Sequence, residues 1–583
     1  MEEELSVLPW LYFVPTERSY RPCVTFVPPI DHYYWQRRGY QTLHFFMEPL
    51  FPGWIYSLLL GLDRKRDSFC RRLQKRGQSL GLLLPGLKEE KIRGSAPVLS
   101  RKRSLLRGLE RILAGRLLYP WEVKRALRER GYQGTFAREL QQLLLEGRII
   151  FRPSLTLSVQ GGFYCFRCGS REAEELESST SGALDYHCLH CGVMGESRFS
   201  RFLLAGRATD YEDLKPYTGS CQPGFTLSGM QKKASRRLER LVLEEKKKRV
   251  LFWAVCGAGK TEVTFSIIHR FLQQGKRVLF ALPRRDVVEQ LGERMREAFS
   301  LLEPVVLTGQ SKRKYQHGRL YLATTHQVLK FNRFFQLIIL DEFDAFPYTA
   351  QPMLAFGLRR ALAPLGQLVY MSATPGEEYL ERSDRENWGL VSLPLRYHHH
   401  PLPEPQLAVV NLQLSMEKRE LPPVLFTFFY RSLFLDGARV LVFVPSRDLT
   451  RQVAGWLRSN LAELSRPVKV GAVHAHHNER QQQVQSFSRR KTEILVTTTM
   501  LERGITIARC NVLVLFASWE RIFTTGVLLQ ISGRAGRSAD YPQGRVFFCG
   551  SKISASMRQA RRQVCRLNQW ARRRGLLESS QQK

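Results

Sequence analysis

A glycine-rich segment between an apolar run and a helical pattern constrains the fold of this 583-residue chain more than any other feature. Residues 254–261 read AVCGAGKT, and the run before them, residues 250–253 (VLFW), has the length and composition of a buried strand. Apolar residues then recur at helical spacing: Val263, Ile267, Ile268, Phe271 and Leu272. The glycines therefore lie on a turn from a strand to a helix, which predicts an α/β domain with a parallel sheet.

The chemistry of this turn suits a phosphate group. Gly257 and Gly259 lack a Cβ atom, so the backbone there, with Ala258 between them, can adopt left-handed torsions and direct its N–H groups toward an anion. The start of the following helix adds partial positive charge. Lys260 is placed to reach the β- and γ-phosphates of a nucleoside triphosphate, and Thr261 to hold Mg²⁺.

A pair of carboxylates follows another predicted strand. Residues 337–340 (LIIL) form an apolar run of the parallel-sheet type, and Asp341 and Glu342 come directly after it. In parallel sheets, ligands gather at the carboxyl ends of the strands, which places both carboxylates near the glycine-rich turn. Asp341 is suited to bind Mg²⁺, and Glu342 to orient and deprotonate an attacking water, as phosphoryl transfer to water requires.

Two further segments complete the set and bring in a second domain. Residues 372–374 (SAT) follow a further apolar strand, and residues 530–537 read QISGRAGR. With the glycine-rich turn and the carboxylates, these segments resemble the motifs of superfamily 2 helicases. The resemblance implies a second RecA-like domain whose Gln530, Arg534 and Arg537 face the nucleotide, with both arginines closing over the γ-phosphate.

Other segments of the same family occur in the expected order. Gln231 matches the glutamine that reads adenine, which implies ATP as the nucleotide, and Phe225 is placed to stack nearby. Residues 283–285 (PRR) and 324–326 (TTH) resemble segments that contact the nucleic-acid backbone. Residues 503–506 (RGIT) resemble the segment that links the nucleotide and nucleic-acid sites.

Four cysteines in two Cys-x-x-Cys pairs form a second constellation. Cys165 and Cys168 are followed, after 19 intervening residues, by Cys188 and Cys191. Two such pairs at this spacing supply four thiolates for a tetrahedral Zn²⁺. Because four protein ligands leave no position open for a substrate, the metal is expected to be structural. Two alternatives are weaker: a neighbouring histidine replaces a cysteine as a ligand, or the cysteines form disulfides instead of binding a metal.

The position of the four cysteines, ahead of the motor motifs rather than among them, narrows the resemblance. Together with residues 341–348 (DEFDAFPY), it makes the chain similar to the ComFA family, the late competence proteins of transformable Gram-positive bacteria. The resemblance implies an ATPase at the inner face of the cytoplasmic membrane that drives incoming single-stranded DNA into the cell. Its implied partners are that DNA and the competence DNA-uptake proteins at the membrane.

Three other interpretations stay open. A primosomal helicase of the PriA type shares the motor but carries its zinc cysteines between motor segments. An RNA helicase of the same superfamily fits the motor motifs equally well. A non-catalytic, basic DNA-binding scaffold with decayed motifs belongs to a different class, and the intact Lys260, Asp341, Glu342 and Arg537 argue against it.

The charge of the chain favours a polyanionic partner. Its formal net charge is +36 and its isoelectric point is about 10.1. Each neutralised phosphate adds to the salt dependence of binding, so affinity for single-stranded DNA is expected to fall steeply as salt rises. Anionic lipid is a second candidate surface. With no apolar stretch of bilayer length, the chain is expected to be cytoplasmic and peripheral at the membrane, and a homo-oligomer is left open.

The expected fold is α/β, with two RecA-like domains of parallel sheets flanked by helices, an N-terminal region and a small zinc-binding module. The expected divisions are 1–155 for the N-terminal region, 156–205 for the zinc module, 225–398 for the first RecA-like domain and 407–583 for the second with a basic tail. Within the N-terminal region, the pattern at 104–155 resembles a winged helix and fits a generic three-helix packing unit equally well. Clustered prolines and histidines between the two motor domains are expected to form a solvated linker.

Overall fold

Two parallel β-sheets, one in each half of the C-terminal part of the chain, form the frame of the molecule. The computed structural model describes residues 9–577 apart from 39, 61, 66, 81, 83, 85, 92–102, 159–160, 177–183, 193–195, 207–213, 346, 349–350, 463–466, 474–479 and 500–506. The predicted α/β fold with two RecA-like domains is confirmed. The segment 503–506, singled out in the sequence, lies outside the described residues.

The N-terminal region folds around a four-stranded antiparallel sheet. Its strands, in the order β2-β1-β3-β4, are β1 (Trp10–Pro15), β2 (Tyr20–Thr25), β3 (Thr42–Phe46) and β4 (Leu87–Lys91), and its helices are α1 (Pro28–Gln36), α2 (Pro52–Leu59) and α3 (Phe69–Ser79). Many of its aromatic side chains are buried between the sheet and the helices, among them Tyr12, Phe13 and Trp35. Most of the aromatic content of this region therefore forms core rather than surface.

A second unit combines three helices with a three-stranded antiparallel sheet. Its elements are α4 (Arg103–Leu113), β5 (Leu117–Leu118), α5 (Pro120–Arg128), α6 (Ala137–Leu145), β6 (Ile149–Pro153) and, after the cysteine segment, β11 (Phe202–Gly206). The sheet order is β5-β11-β6, so β11 pairs with strands that precede the cysteines. The expected division at residue 155 assigned β11 to the zinc module, and the pairing corrects it: this strand completes the sheet of the preceding unit.

The four-cysteine module is inserted between β6 and β11. It consists of two small antiparallel ribbons, β7 (Leu155–Leu157) with β8 (Phe163–Cys165) and β9 (Ala173–Glu175) with β10 (Tyr186–Cys188). Each pair of cysteines lies at the end of one ribbon. The two ribbon ends thus present the cysteines to one another.

The first motor domain contains a seven-stranded parallel sheet. Its strands are β12 (Arg249–Ala254), β13 (Val278–Leu282), β14 (Val305–Leu307), β15 (Leu320–Thr324), β16 (Phe335–Asp341), β17 (Leu362–Ser372) and β18 (Gly389–Leu393), in the order β14-β15-β13-β16-β17-β12-β18. The surrounding helices are α7 (Gly229–Glu239) with a π-helical turn at Arg240–Glu244, α8 (Lys260–Val263), α9 (Phe265–Gln273), α10 (Arg285–Ala298), a 3₁₀ helix at Thr325–Lys330, α11 (Pro352–Ala361) and α12 (Glu377–Arg385). Every residue of β13 is buried, because helices cover both faces of the sheet.

The second motor domain repeats this plan with six parallel strands. They are β19 (Gln406–Val409), β20 (Arg439–Phe443), β21 (Val470–Val473), β22 (Ile494–Thr497), β23 (Cys510–Val514) and β24 (Val546–Gly550), in the order β19-β24-β23-β20-β22-β21. The helices are α13 (Leu412–Glu417), α14 (Pro423–Tyr430) with a π-helical turn at Arg431–Leu435, α15 (Arg447–Leu461), α16 (Arg480–Ser488), α17 (Thr525–Ser532) and α18 (Ala555–Arg573). None of the described helices is both long enough and apolar enough to cross a bilayer.

The connection between the motor domains is packed against the second domain. His398 is 8% exposed and its Nε2 lies 3.1 Å from the carbonyl oxygen of Gly536. Asn568 on α18 bonds to both the N–H and the carbonyl of Leu402. The prediction of a solvated linker is therefore wrong, because the polar groups of this segment are satisfied by the protein rather than by water.

Candidate functional site

A cavity of about 600 Å³ opens between the two motor domains. The sequence-predicted residues that line it are Gln231, Gly257, Gly259, Lys260, Thr261, Glu342, Gln530, Arg534 and Arg537. Ala258 lies buried beneath the glycine-rich turn, and Asp341 lies buried directly behind Lys260. The structure thus brings all of the residues predicted for the nucleotide site together, from segments that are up to 306 positions apart in sequence (231 to 537).

The glycine-rich turn has the backbone conformation that the sequence argument requires. Gly257 and Gly259 have φ angles of 81° and 82°, in the left-handed region that a side chain disfavours. Gly259 is the residue before α8, so the turn leads directly into the start of a helix. The glycine-rich turn and the start of this helix therefore border the cavity, an arrangement that suits an anion.

Lys260 and Asp341 form an ion pair beside this turn. The Nζ atom of Lys260 lies 2.7 Å from Oδ1 of Asp341, and both groups are largely buried. Burial disfavours the charged amine, but Asp341 and Glu342 outweigh this effect and leave the pKa of Lys260 raised. Burial also raises the pKa of Asp341, which Lys260 partly offsets. The pair keeps two opposite charges together at the floor of the cavity.

Glu342 has an unusual backbone conformation for a residue with a side chain. Its φ angle is 54°, and its backbone N–H donates to Oδ1 of Asp341 at 2.9 Å. Such torsions cost about 1 to 3 kcal/mol and are concentrated at functional sites, where the surrounding structure holds them. The strain turns the Glu342 side chain into the cavity, next to the glycine-rich turn.

Arginines of the second domain form the opposite wall. Arg534 is 4% exposed, and Nε of Arg537 donates to the carbonyl of Gly533 at 2.6 Å. Burial, together with the charge of Arg537, holds the pKa of Arg534 well below its usual range, and burial lowers that of Arg537 as well. Two guanidinium groups that repel one another in a buried wall are matched to a polyanionic ligand.

Arg396 is a residue of this site that the sequence analysis did not identify. It follows β18 in the first domain and is 2% exposed, and its Nε donates to the carbonyl of Cys256 in the glycine-rich turn at 3.1 Å. Its other nitrogens donate to carbonyls of the arginine segment: Ala535 at 2.7 Å, Gly533 at 3.4 Å, and Gly536. One side chain thus joins the two segments that meet at the cavity.

A chain of polar contacts also crosses between the domains. Oγ1 of Thr374 donates to Oδ2 of Asp344 at 2.6 Å, and Nε2 of Gln530 donates to Oγ1 of Thr374 at 3.1 Å. The chain therefore connects the carboxylate segment, the SAT segment and the arginine segment. Asp344 lines the cavity two residues after Glu342, a position that the sequence analysis did not assign.

Gln231 contacts the glycine-rich turn through one end of its amide. Its Nε2 donates to the carbonyl of Ala258 at 2.8 Å, and its Oε1 accepts from the backbone N–H of Ser228 at 2.8 Å. The second contact belongs to a capping box at the start of α7. The side chain is thus held in place at the edge of the cavity beside Phe225, and its contact with adenine stays a prediction.

The four cysteines come together in a buried cluster. The Sγ atoms of Cys165 and Cys191 are 3.6 Å apart, those of Cys168 and Cys188 are 3.5 Å apart, and all four ligand atoms lie within 4.8 Å of one another. Tetrahedral zinc with Zn–S bonds of about 2.3 Å separates its sulfurs by about 3.8 Å, whereas a disulfide requires about 2.0 Å. The cluster fits Zn²⁺, and among the described residues no histidine belongs to it.

The cysteine module is attached to the first motor domain. Arg360 on α11 donates to the carbonyls of Phe166 and Arg167, both at 2.6 Å, within the first Cys-x-x-Cys pair. Gly169, with a φ angle of 76°, lies against the ring of Phe356 on the same helix and leaves no room for a side chain there. The module is therefore held rigidly on the motor rather than tethered by a free loop.

Comparison with known proteins agrees with this arrangement. The family "Type III restriction enzyme, res subunit" matches residues 224–377, and "Helicase conserved C-terminal domain" matches residues 426–539. Competence protein ComFA of Bacillus subtilis is 32% identical over 460 residues, which covers 75% of this chain and 96% of that protein. The chain belongs to the ComFA family. ComFA of Streptococcus pneumoniae is also 32% identical, over 71% of this chain and 92% of its own length.

A solved structure shows a weaker likeness. Dbp5 of S. cerevisiae, bound to RNA and ADP BeF3, aligns with 60% of this chain and 94% of its own chain, with a TM-score of 0.45 and 17% identity. This score adds nothing to what the two parallel sheets and the ComFA relatives already establish.

Proposed function

We propose that this ComFA-family protein is a DNA-dependent ATPase that translocates on single-stranded DNA during DNA uptake in competence. The observation that carries the proposal is the convergence of cationic groups from both motor domains on one cavity: Lys260 from the first, Arg534 and Arg537 from the second. A site divided between two domains is complete only when the domains are close together. Binding and hydrolysis of a nucleotide there are therefore coupled to domain motion.

The phosphates of ATP are assigned to the glycine-rich turn. Gly257, Gly259 and Lys260 line that part of the cavity, where α8 begins. Thr261 and Asp341 are the residues that would hold Mg²⁺, which would supply positive charge to the phosphates. The adenine is assigned to the end of the cavity lined by Gln231 and Phe225.

Proton transfer and charge stabilisation are assigned to opposite walls. Lys260 exchanges its ion pair with Asp341 for phosphate oxygens, which leaves the Asp341 carboxylate available to the metal. Glu342 orients a water in line with the γ-phosphate and accepts its proton. Arg534 and Arg537 stabilise the charge that develops on the transferred phosphoryl group, a contribution of about 10³ to 10⁵ in rate for such arginines.

Hydrolysis is linked to movement by the contacts that cross the cavity. Arg396 and the chain from Asp344 through Thr374 to Gln530 hold the second domain against the first. Loss of the γ-phosphate removes the anion that draws the arginines inward, and the domains then separate. The segments at 283–285 and 324–326, which are proposed to contact the nucleic-acid backbone, follow β-strands of the first domain. Alternate closing and opening of the domains therefore displaces these contacts along bound single-stranded DNA.

The four-cysteine module is proposed to hold a structural Zn²⁺, because four thiolates complete the coordination and the module is fixed to α11. We extend to this chain the role in competence that the names of its relatives state. Its proposed partners are single-stranded DNA and the competence DNA-uptake proteins. Its proposed location is cytoplasmic, at the inner face of the membrane, where its net charge of +36 also favours anionic lipid.

The decisive experiment is ATP hydrolysis by the purified protein without nucleic acid and with single-stranded DNA, duplex DNA or single-stranded RNA. The Lys260→Ala protein serves as the blank. We expect strong stimulation by single-stranded DNA, and loss of turnover in Lys260→Ala with DNA binding largely retained. Equal stimulation by RNA would favour an RNA helicase, and the absence of any turnover that depends on Lys260 would favour a non-catalytic scaffold.

A further inference from the structure

Trp121 is an exposed aromatic residue that the motor does not use. It lies at the start of α5 in the three-helix unit and is 46% exposed. Its indole stacks on the buried ring of Tyr119, with centroids 4.1 Å apart and planes inclined by 10°. Tyr119 fixes this large flat side chain on one face, and nearly half of the side-chain surface remains accessible to another ring.

The support beneath Trp121 reaches into the cysteine module. The hydroxyl of Tyr119 bonds to Oγ of Ser197 at 2.8 Å, and the guanidinium of Arg167, between the first two cysteines, lies 4.6 Å from the centre of the Tyr119 ring. The guanidinium of Arg201 lies over the Trp121 ring, 5.2 Å from its centre, so a base that stacks on the indole takes the place of this guanidinium. The stack from Arg167 through Tyr119 to Trp121 runs from buried protein to the surface, so the orientation of the indole is set by the folded module.

The surface around Trp121 is basic. Arg125 and Arg128 are exposed at positions i+4 and i+7 of α5, on the same helix face as Trp121. Nε of Arg125 lies 3.5 Å from Oε1 of Glu129, so a phosphate bound there competes with this exposed ion pair. At about 1.5 Å of rise per residue, the two arginines lie about 6 Å and 10 Å along the helix from the indole. In single-stranded nucleic acid, a base is followed along the chain by phosphates. The indole of Trp121 matches the base in this arrangement, and the two arginines match the phosphates.

The position of α5 also connects this surface to the motor. Glu122, the residue after Trp121, is buried and accepts from Nζ of Lys330 at 3.0 Å. Lys330 ends the 3₁₀ helix that begins at Thr325, in the segment proposed to contact the nucleic-acid backbone. This ion pair fixes the start of α5 to the end of that helix, so Trp121 keeps its position relative to the proposed nucleic-acid contact.

We propose that Trp121, with Arg125 and Arg128, is a second contact for single-stranded DNA, in which the indole stacks on a base and the two arginines bind phosphates. The inference rests on the proposed DNA partner and adds a site outside the motor. It gives the three-helix unit a direct function: a strand held at Trp121 stays bound while the motor domains open.

The test is the affinity for a fluorescent oligothymidylate, measured by anisotropy over a range of salt concentrations. Trp121→Ala is expected to weaken binding by about tenfold at every salt concentration, because stacking on one base is worth about 1 to 3 kcal/mol and is not electrostatic. Changing both Arg125 and Arg128 to Gln is expected to make the slope of log affinity against log salt about 1.4 shallower, at about 0.7 per phosphate. Tyr430→Ala, at a 43% exposed aromatic residue on α14, is the matched control and should change neither quantity.

Several outcomes decide the inference separately from the proposed function. If wild-type protein binds the oligonucleotide and Trp121→Ala binds within about twofold of it, Trp121 serves only to cover Tyr119 and the inference is wrong. If Trp121→Ala loses zinc, the test passes to the variant with Arg125 and Arg128 changed to Gln, which leaves the stack of Tyr119 and Trp121 intact. A salt slope in that variant equal to that of the wild type overturns the proposal. If wild-type protein shows no affinity for single strands, the proposed function fails first. Hydrolysis of ATP without DNA should be unchanged in all three variants.

Discussion

A close approach between the motor domains gives a sharp test of the proposed closure. Gly533 in the arginine segment faces Cys256 in the glycine-rich turn, and a Cβ atom at Gly533 would lie 2.9 Å from Sγ of Cys256 and closer still to its Cβ. Gly533 itself has φ and ψ angles of −62° and −6°, which any residue adopts. The torsions of Gly533 therefore allow alanine, and the severe clash comes from Cys256 in the other domain; the carbonyl oxygen of Gln530, 3.2 Å from the added Cβ, is a milder contact.

The size of the effect follows from the contact distance. Carbon atoms in contact are about 3.5 to 4.0 Å apart, so the Gly533→Ala protein must separate the two segments by about 1 Å or more. A displacement of about 1 Å of groups that act on the reacting phosphate costs on the order of 10²-fold in rate. We expect kcat for DNA-stimulated ATP hydrolysis to fall by about that factor, while the melting temperature stays close to that of the wild type.

A second substitution tests the cause. Cys256→Gly removes the side chain that blocks the new methyl group, so the double variant Gly533→Ala/Cys256→Gly should recover at least about tenfold in kcat relative to Gly533→Ala. The Cys256→Gly single variant supplies the fourth corner of the cycle and accounts for any effect of added backbone freedom in the turn. Equal activity of Gly533→Ala and the wild type, or strict additivity of the two changes, would refute the reasoning that this contact belongs to the active arrangement.

Two further predictions concern residues that hold the site and the module. Arg396→Ala should lower kcat by about tenfold or more, because carbonyls in the glycine-rich turn and in the arginine segment lose a buried charged donor. Arg396→Lys should restore only part of the lost activity, since an ammonium cannot reproduce the guanidinium contacts. Full activity of Arg396→Ala would show that this contact between the domains is dispensable. Cys188→Ser should lose bound zinc, measured by metal analysis, and should give a lower soluble yield. Cys70→Ser, at an exposed cysteine outside the cluster, is the control and should retain both the zinc content and the yield. Full zinc content in Cys188→Ser would rule out the four-cysteine site.

The parallel sheets could be predicted because each strand can be recognised from its own residues. Residues 250–253 and 337–340 are apolar throughout, as strands buried on both faces are, and each leads into a polar segment at its carboxyl end. The two Cys-x-x-Cys pairs could be predicted for a similar reason, because the local spacing of the cysteines is enough to indicate a metal site. The place of strand β11 could not be predicted, because it pairs with β5 and β6, which lie on the other side of the cysteine module in the sequence.

The contacts between the motor domains could not be predicted from single residues. Arg396 donates to backbone carbonyls, which every residue possesses, so nothing in the partner sequence indicates the contact. One signal was present: Arg396 follows β18, at the edge of the sheet where ligands gather. Gln231 shows a different case: a family resemblance predicted a contact with adenine, and the structure shows its side chain in a capping box with Ser228, a role that the sequence analysis did not identify.

The measurement that tests the central claim most directly is translocation itself. A biotinylated single strand carrying streptavidin is incubated with the protein and ATP, and displacement of the streptavidin is followed in the presence of free biotin. We predict ATP-dependent displacement by the wild type and none by Glu342→Gln, which retains the cavity and the ion pair of Lys260 with Asp341 but lacks the proton acceptor. Single-strand-stimulated hydrolysis without displacement, or displacement by Glu342→Gln equal to that of the wild type, would contradict a motor driven by this site.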